Sequence, residues 1–346
     1  MSIININTGF AMKKLVILIF GLLFAAGYLV SRAQSSQSSD ETADVDSTVS
    51  VIGWFSKCDT LEYWILQGEW KIDGADTLKT TGIATKVRIV VTDSTSEGYK
   101  MDYTFLEIEG DTIENSPLNN IQNRVTEKLG RKIIGHTVHF ETDELGEITR
   151  ITNLDKIKKQ VKSLFNSAMS ELASIPEIKE VKKYGIDITK LADKIDSDQL
   201  VEGYLEELKL MFLHHGSRFY LGKRCVHEDA TETKYENDVC TTVGFDSEDG
   251  SYFIATDVEN IIPPSALKAV LGEVVGTMMS DDLAEAVKNE MDSQIKLIGI
   301  VGSYLRNEYL GDGWPYSILK QESSTINGQG KLRQTYMYLA YYSVRN

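Results

Sequence analysis

The spacing of the hydrophobic residues constrains the fold of this chain more than any other feature of its sequence. In Lys79–Thr92, the apolar residues Val87, Ile89 and Val91 occupy every second position, which is typical of a strand with one buried face. Behind Asn153 the hydrophobic residues recur every three or four positions, as on one face of a helix. Along the chain the order is strands, two helices, strands, two helices, strands. This order predicts an α+β fold in which two helix pairs pack on curved antiparallel sheet.

Strand-like stretches are numerous in both halves of the chain. Those in the first half are Glu62–Ile72, Lys79–Thr92, Lys100–Glu109, His136–Phe140 and Glu147–Thr152. Those in the second half are Arg218–Val226, Tyr235–Phe245, Trp314–Glu322 and Lys331–Val344. The last two flank Asn327-Gly328, a turn sequence that strongly indicates a hairpin.

One strand changes its buried face along its length. In Lys100–Glu109 the apolar residues Met101, Tyr103 and Phe105 share a face, and the next two apolar residues, Leu106 and Ile108, fall on the other. A twist or a β-bulge is therefore predicted near this point.

Four amphipathic helices are predicted from the three-to-four-residue spacing. Their apolar stripes are Leu154, Ile157, Val161, Phe165, Ala168 and Leu172; Leu200, Tyr204, Leu208, Met211 and Phe212; Leu267, Val270, Leu271, Val274, Val275 and Met278; and Leu283, Val287 and Met291. Pro176 ends the first helix, and Pro263-Pro264-Ser265 precedes the third. Core packing is the default interpretation of all these stripes.

Two similar turn segments raise the question of an internal repeat. TDSTSEGYKMDY (residues 92–103) and FDSEDGSYFIAT (residues 245–256) share an Asp-Ser pair, a glycine and a tyrosine. Together with the repeated order of elements, they predict two related units of sheet plus helix pair. Their bounds are residues 51–215 and 216–346, which either form two domains or make one continuous domain.

The first fifty residues differ from the rest. Residues 1–33 have a short basic segment, an apolar run and small residues before a cut after Ala33, as in a secretory signal peptide. The run Leu15–Val30 is shorter than the ~20 residues that span a bilayer, so an uncleaved anchor is the weaker alternative. Residues 34–50 are polar and acidic, which predicts a disordered linker. A periplasmic or secreted protein is expected, with no stable membrane insertion after cleavage.

Charge argues against two classes of partner. The chain has a formal net charge of −15, and loss of Lys13, Lys14 and Arg32 with the signal peptide would make it −18 (−15 − 3). An acidic surface repels phosphate backbones and anionic lipid headgroups. We therefore expect no nucleic-acid partner and no electrostatic docking on a membrane.

Recognisable catalytic motifs are absent from the sequence. The five histidines do not have the spacing of zinc ligands, and no Gly-x-Ser-x-Gly motif of a serine hydrolase is present. Gly328-Gln329-Gly330 is not a phosphate-binding loop, because no predicted helix follows it. No catalytic residue, metal site or cofactor is predicted. A glycosidase-type pair of carboxylates stays open, because the sequence does not report their separation.

The three cysteines allow one disulfide in an oxidising compartment. Cys225 and Cys240 lie on consecutive strand-like segments, so they are the predicted pair, with Cα atoms within ~7 Å. The alternative is three buried free thiols.

Several passages give the chain a family resemblance. They are Glu62–Ile108, the Phe-x-x-Asp-x-x-Gly-x-Ile-x-x-Ile-x-Asn pattern within His136–Leu154, and Gly313-Trp314-Pro315. The chain resembles a family of exported bacterial proteins of uncharacterised function. In layout it is distantly similar to periplasmic lipoprotein carriers, which implies binding of an apolar ligand. The resemblance supplies no catalytic residue.

Two function hypotheses follow, with an enzyme as a third. The first is a non-catalytic module that binds an apolar or lipid-like molecule in a groove of ~300–1,000 Å³. The predicted lining residues are Val274, Val275, Met278, Met101 and Tyr103. The second is a structural or protein-interaction component of the cell envelope whose core is fully packed. A large apolar pocket under the third predicted helix would favour the first, and solid packing there would favour the second.

Overall fold

The computed structural model describes residues 48–112, 130–174, 179, 197–228, 237–262 and 299–343. The predicted signal peptide, residues 34–47 of the predicted linker, and the predicted third and fourth helices lie outside these ranges.

Antiparallel strands make up most of the described chain. In the first half they are β1 (Thr48–Ser50), β2 (Thr60–Asp73), β3 (Asp76–Thr95), β4 (Gly98–Thr112), β5 (Thr137–Thr142) and β6 (Ile148–Ile151). The helices α1 (Leu154–Ser174), α2 (Ser197–Tyr204) and α3 (Glu206–Met211) follow. The second half has β7 (Arg218–Tyr220), β8 (Gly222–Glu228), β9 (Asn237–Phe245), β10 (Tyr252–Ile262), β11 (Gly299–Tyr309), β12 (Pro315–Ile326) and β13 (Gln329–Ser343).

Eleven of these strands form one antiparallel sheet, in the order β6-β5-β4-β3-β2-β13-β12-β11-β10-β9-β8, and β1 pairs with β7. The predicted α+β class with antiparallel sheet is confirmed. The sheet continues from the first predicted unit into the second, because β2 pairs with β13 along its whole length. The division at residue 215 stays a prediction.

Three elements differ from the sequence prediction. Thr48–Ser50, at the end of the predicted linker, pairs with Arg218–Tyr220 instead of being disordered. The strand Gly299–Tyr309 was not predicted, because its two glycines and mostly half-buried positions give no clear alternation. The second predicted helix is divided in two at Leu205, whose ψ of 4° departs from helical geometry. Its apolar stripe still faces the core.

The main core lies between one face of the sheet and the helices. The alternate residues Leu61, Tyr63 and Ile65 of β2 are almost fully buried, as are Ile157 of α1 and Leu208 of α3. A smaller cluster joins β1 to the second half of the sheet through Val49, Val51, Val243, Tyr252, Ile254 and Tyr309. The α helices therefore cover the face to which β2–β5 point their apolar side chains.

Strand β8, at one edge of the sheet, is covalently tied to its neighbour. Cys225 and Cys240 are directly opposite each other in the β8–β9 ladder and form a disulfide, with Cα atoms 4.0 Å apart. Cys58 is a free, exposed cysteine. The bond therefore holds the edge strand in place.

Removing this disulfide should lower the free energy of unfolding by about 2–3 kcal/mol, since it closes a short loop in the unfolded chain. Denaturant titration of the Cys225→Ser/Cys240→Ser variant measures the change. Cys58→Ser is the matched control and should leave stability unchanged. An equal unfolding midpoint for oxidised and reduced wild-type protein would contradict this expectation.

Candidate binding cleft

A cleft of about 230 Å³ opens between the sheet and the helices α2 and α3. Strands β2, β3 and β4 supply one wall, and the residues of α2, α3 and positions 130–133 supply the other. Its lining residues are Ile65, Gln67, Ile83, Thr85, Tyr103, Phe105, Ile108, Gly130, Ile133, Gly203, Tyr204 and Glu207. The walls are thus mainly apolar, with a few polar groups among them.

A β-bulge shapes the β4 wall. The β3–β4 register passes from Lys86 opposite Glu107 to Val87 opposite Phe105, so Leu106 is the extra residue. Without the bulge, Phe105 and Ile108 would lie on opposite faces of β4. With it, both side chains line the cleft. The bulge predicted from the apolar pattern of this strand is confirmed.

Two tyrosines that line the cleft have buried hydroxyl groups. Tyr103 is 1% exposed, and neither its hydroxyl nor that of Tyr204 has a hydrogen-bond partner among the described residues. Burial raises the pKa of both phenols, so each keeps its proton. A buried hydroxyl without a partner is costly. Both oxygens are almost completely enclosed by protein atoms, so a ligand in the cleft reaches them only if neighbouring side chains move.

Glu207 is the charged residue among those that line the cleft. The Nε2 of Gln67 donates a hydrogen bond of 2.7 Å to its Oε1. Burial, and then repulsion from Glu206, raises the pKa of Glu207 to about 7, although the bond from Gln67 and the charge of Lys320 act in the opposite direction. The side chain is partly exposed, and the cleft is the space it borders. Carboxyl groups with this behaviour concentrate at functional sites.

Polar contacts with three strands hold helix α3 and therefore fix Glu207 in place. Besides the bond from Gln67 on β2, Lys320 of β12 lies 2.6 Å from Glu206, and its Nζ also pairs with Glu322 at 2.8 Å. The Nδ2 of Asn307 on β11 donates to the carbonyl of Leu210 at 3.1 Å. The helix thus has little freedom to move the carboxyl group away from the cleft.

The predicted lining residues are only partly brought together. Tyr103 lines the cleft. Met101 is in the same core cluster as Tyr103 and is equally buried, with each side chain 1% exposed, but it is not among the residues that line the cleft. Val274, Val275 and Met278 lie outside the described residues. The predicted groove of ~300–1,000 Å³ is larger than the cleft that the described residues enclose.

Sequence reasoning missed Gln67, Tyr204 and Glu207 as site residues. One signal for Glu207 was available, since it lies three residues after Tyr204 and one before Leu208 in the apolar stripe of the predicted helix. An acidic residue beside such a stripe borders the core, where a carboxyl group needs a polar partner.

In the part of the chain that the structure describes, the two neighbouring histidines form no second site of this kind. His215 is buried and His214 is half-buried, both among aromatic rings. Loss of hydration lowers the pKa of each to about 4, so both are neutral near pH 7. Among the described residues, no three histidine, cysteine or acidic side chains converge as metal ligands would. No helix in the described ranges is both long and apolar enough to cross a membrane.

Comparison with known proteins leaves the family of this chain undetermined. No family model and no curated protein matches it. Seven chains of solved structures match, and two of them illustrate how weak the similarity is. One is titled "Lipid-protein interactions in lipovitellin", with 8% identity, a TM-score of 0.38 and coverage of 84% of this chain. The other is DynF from the dynemicin biosynthesis pathway of Micromonospora chersina, with 7% identity and a TM-score of 0.18, covering 89% of this chain and 90% of that one.

This chain spans about a quarter of the lipovitellin chain, 26% of its length. Both TM-scores are too low to carry an argument about function. The family resemblance read from the sequence stays a prediction.

Proposed function

We propose that this protein is a non-catalytic binding module that holds a small apolar or lipid-like ligand in the cleft between β2–β4 and α2–α3. The observation that carries the proposal is the cleft itself, whose walls are mainly apolar and whose lining includes the polar residues Gln67, Thr85 and Glu207. Binding sites for small molecules are typically apolar and have a small number of convergent polar groups.

The size of the cleft limits the ligand. Its volume of about 230 Å³ exceeds the ~150 Å³ of an engineered cavity that takes benzene. A ring system or chain of roughly eight to ten non-hydrogen atoms fits on this scale. Because the cleft is open on one side, a longer molecule can extend beyond it.

The proposed location is the periplasm or the extracellular space, with residues 1–33 as a cleaved signal peptide. The disulfide between Cys225 and Cys240 supports this, because disulfides persist in oxidising compartments. N-terminal sequencing of natively expressed protein is the direct measurement, and Gln34 is the expected first residue.

Gly203 offers a way to fill the cleft without disturbing the fold. It lies in helix α2 and lines the cleft, and a Cβ added there meets no atom within 4 Å. Replacing a helical glycine also favours the helix by up to about 1 kcal/mol. A larger side chain at this position therefore occupies ligand space while the protein stays folded.

We expect wild-type protein to bind prodan, a neutral naphthalene probe whose emission shifts to the blue in apolar surroundings, with saturation at one site. Gly203→Leu should weaken binding at least about ten-fold, equivalent to ~1.4 kcal/mol. Gly203→Ala is the matched control, since it removes the same glycine but leaves most of the cleft open.

Thermal unfolding of both variants verifies that they are folded. A wild-type protein that gives no saturable signal would favour the second hypothesis, an envelope interaction protein. Equal affinity of wild type and Gly203→Leu would place the probe elsewhere on the molecule.

A further inference from the structure

One residue that lines the cleft is charged, and its chemistry restricts the ligand beyond being apolar. Glu207 supplies a carboxyl group in an otherwise uncharged lining. We propose that the ligand carries a protonated amine on its apolar body, and that the amine binds the carboxylate of Glu207. This inference rests on the proposed function of the cleft.

The groups present are those that an ammonium head needs. An ammonium group has three N–H donors and no acceptor, and it is best matched by a carboxylate with further oxygen acceptors. Glu207 supplies the carboxylate, and Gln67 and Thr85, which also line the cleft, carry further oxygen acceptors. Tyrosine rings also attract cations that lie over their faces.

A ligand with an anionic group fits this cleft poorly. Among the described lining residues no basic side chain is present. The nearby cation, Lys320, is already paired with Glu206 at 2.6 Å and with Glu322 at 2.8 Å. A carboxylate ligand would therefore meet Glu207 without a compensating charge, in a chain whose formal net charge is −15.

Binding of an amine requires the ionised form of Glu207, so affinity depends on pH. The titratable and charged groups that act on Glu207 or border the cleft with it are Glu206 on the same helix, Lys320 on β12, Tyr103 on β4 and Tyr204 on α2, and Gln67 of β2 donates to it. The tyrosines and the lysine keep their protons near neutral pH. Glu207, with a pKa of about 7, is the group among these that titrates there.

The sign of the pH effect follows from this. Below pH 7 the neutral carboxylic acid predominates and pairs weakly with a cation, so amine affinity falls. Above pH 7 the carboxylate predominates and affinity reaches a plateau. Because the apparent affinity scales with the ionised fraction, it should rise roughly ten-fold between pH 6 and pH 8.

The experiment compares three ligands with the same eight-carbon chain by isothermal titration calorimetry: octylamine, 1-octanol and octanoate. We expect the affinity order amine, alcohol, carboxylate at pH 8, with the amine at least about ten times tighter than the alcohol. Amine affinity should fall about ten-fold at pH 6, whereas alcohol affinity should stay nearly constant. Titrations at pH 7 in two buffers of different ionisation enthalpy should show release of about half a proton per amine bound.

Two acidic variants separate the cleft from the general charge of the surface. In Glu207→Gln the ratio of amine to alcohol affinity should fall to about one, and the proton release should disappear. Glu202→Gln removes an exposed carboxylate of α2 that pairs with Lys209 of α3 at 2.5 Å. It should retain the wild-type ratio and pH dependence.

The outcomes distinguish the two proposals. If octanol binds and octylamine binds no more tightly, the amine inference is overturned while the apolar cleft stands. If none of the three ligands binds, the proposed function fails as well. If Glu202→Gln and Glu207→Gln lose amine preference equally, the attraction comes from the overall charge of the protein and the inference is overturned.

Discussion

Replacing Gly313 with alanine should lower the free energy of unfolding by more than about 3 kcal/mol. Gly313 has φ of +85°, and a Cβ there would lie 2.2 Å from the carbonyl oxygen of Ile52. Relief needs a shift of one of two backbone segments, and the left-handed conformation itself costs a non-glycine residue ~1–2 kcal/mol. The carbonyl of Gly313 also accepts a 3.0 Å hydrogen bond from His215 Nε2, so the buried histidine would lose its partner as well.

Gly74→Ala is the matched control for the backbone cost alone. Gly74 has φ of +64°, but a Cβ there meets no atom within 4 Å. It should therefore cost ~1–2 kcal/mol. Urea titrations of both variants give the comparison. Equal losses for the two would show that the contact with Ile52 is relieved by small movements.

The second large effect is a loss of stability at acidic pH. Stability should fall as the pH is lowered from about 6.5 to 4, because His214 and His215 are held neutral in the folded protein. Burial lowers the pKa of each to about 4, whereas an unfolded histidine titrates near ~6.5. As the pH falls, these histidines therefore bind protons in the unfolded chain before they do so in the folded protein. This difference lowers the free energy of unfolding by up to about 3 kcal/mol for each histidine.

Glu207 opposes this loss. Its pKa of about 7 is above that of an unfolded glutamate, so the folded protein binds a proton first, and stability from this group is present at low pH and lost as the pH rises through 7. The net loss for the wild type is therefore about 3 kcal/mol, from two histidines against one carboxyl group. Carboxylates held in ion pairs, such as Glu62 with its lowered pKa, add to the loss mainly below this range.

Urea unfolding at pH 7 and at pH 4 measures the effect. His215→Gln keeps an N–H donor for the carbonyl of Gly313 and should remove about half of the histidine contribution. Glu207→Gln removes the opposing group, so that variant should be about twice as sensitive to acid as the wild type. Stability that is independent of pH between 6.5 and 4 in all three proteins would contradict the burial of neutral histidines.

Period-two alternation was enough to predict most of the sheet. The first part of β2 and the part of β3 that pairs with it have one buried face, and Leu61, Tyr63, Val87 and Ile89 report it directly in the sequence. Even the bulge at Leu106 followed from two apolar residues on the unexpected face. The strand Gly299–Tyr309 could not be found in this way, because most of its positions are half-buried and its partners on both sides supply the order.

The cleft was less accessible to sequence reasoning. It combines residues of β2, β3 and β4 with residues of α2 and α3, and Gln67 and Glu207 are 140 positions apart in the chain. Local patterns carry no information on that contact. Tyr103 and Met101 were predicted together from the clear alternation of their strand, and both are in the packed core, but only Tyr103 is among the residues that line the cleft.

The pairing of β2 with β13 also has a consequence for how the protein reaches its fold. Every other neighbouring pair in the large sheet joins consecutive strands, so β2–β6 and β8–β13 are two meanders that can form from contacts close in sequence. The central seam, where β2 pairs with β13, brings together residues that are far apart in the sequence. Across it, the hydroxyl of Tyr63 donates a hydrogen bond to the carbonyl of Pro315, 252 positions away. Non-local pairing of this kind is slow because loop-closure entropy is lost before the contacts form. The rate-limiting barrier to folding is therefore expected at this central seam, where two preformed ribbons must meet edge to edge.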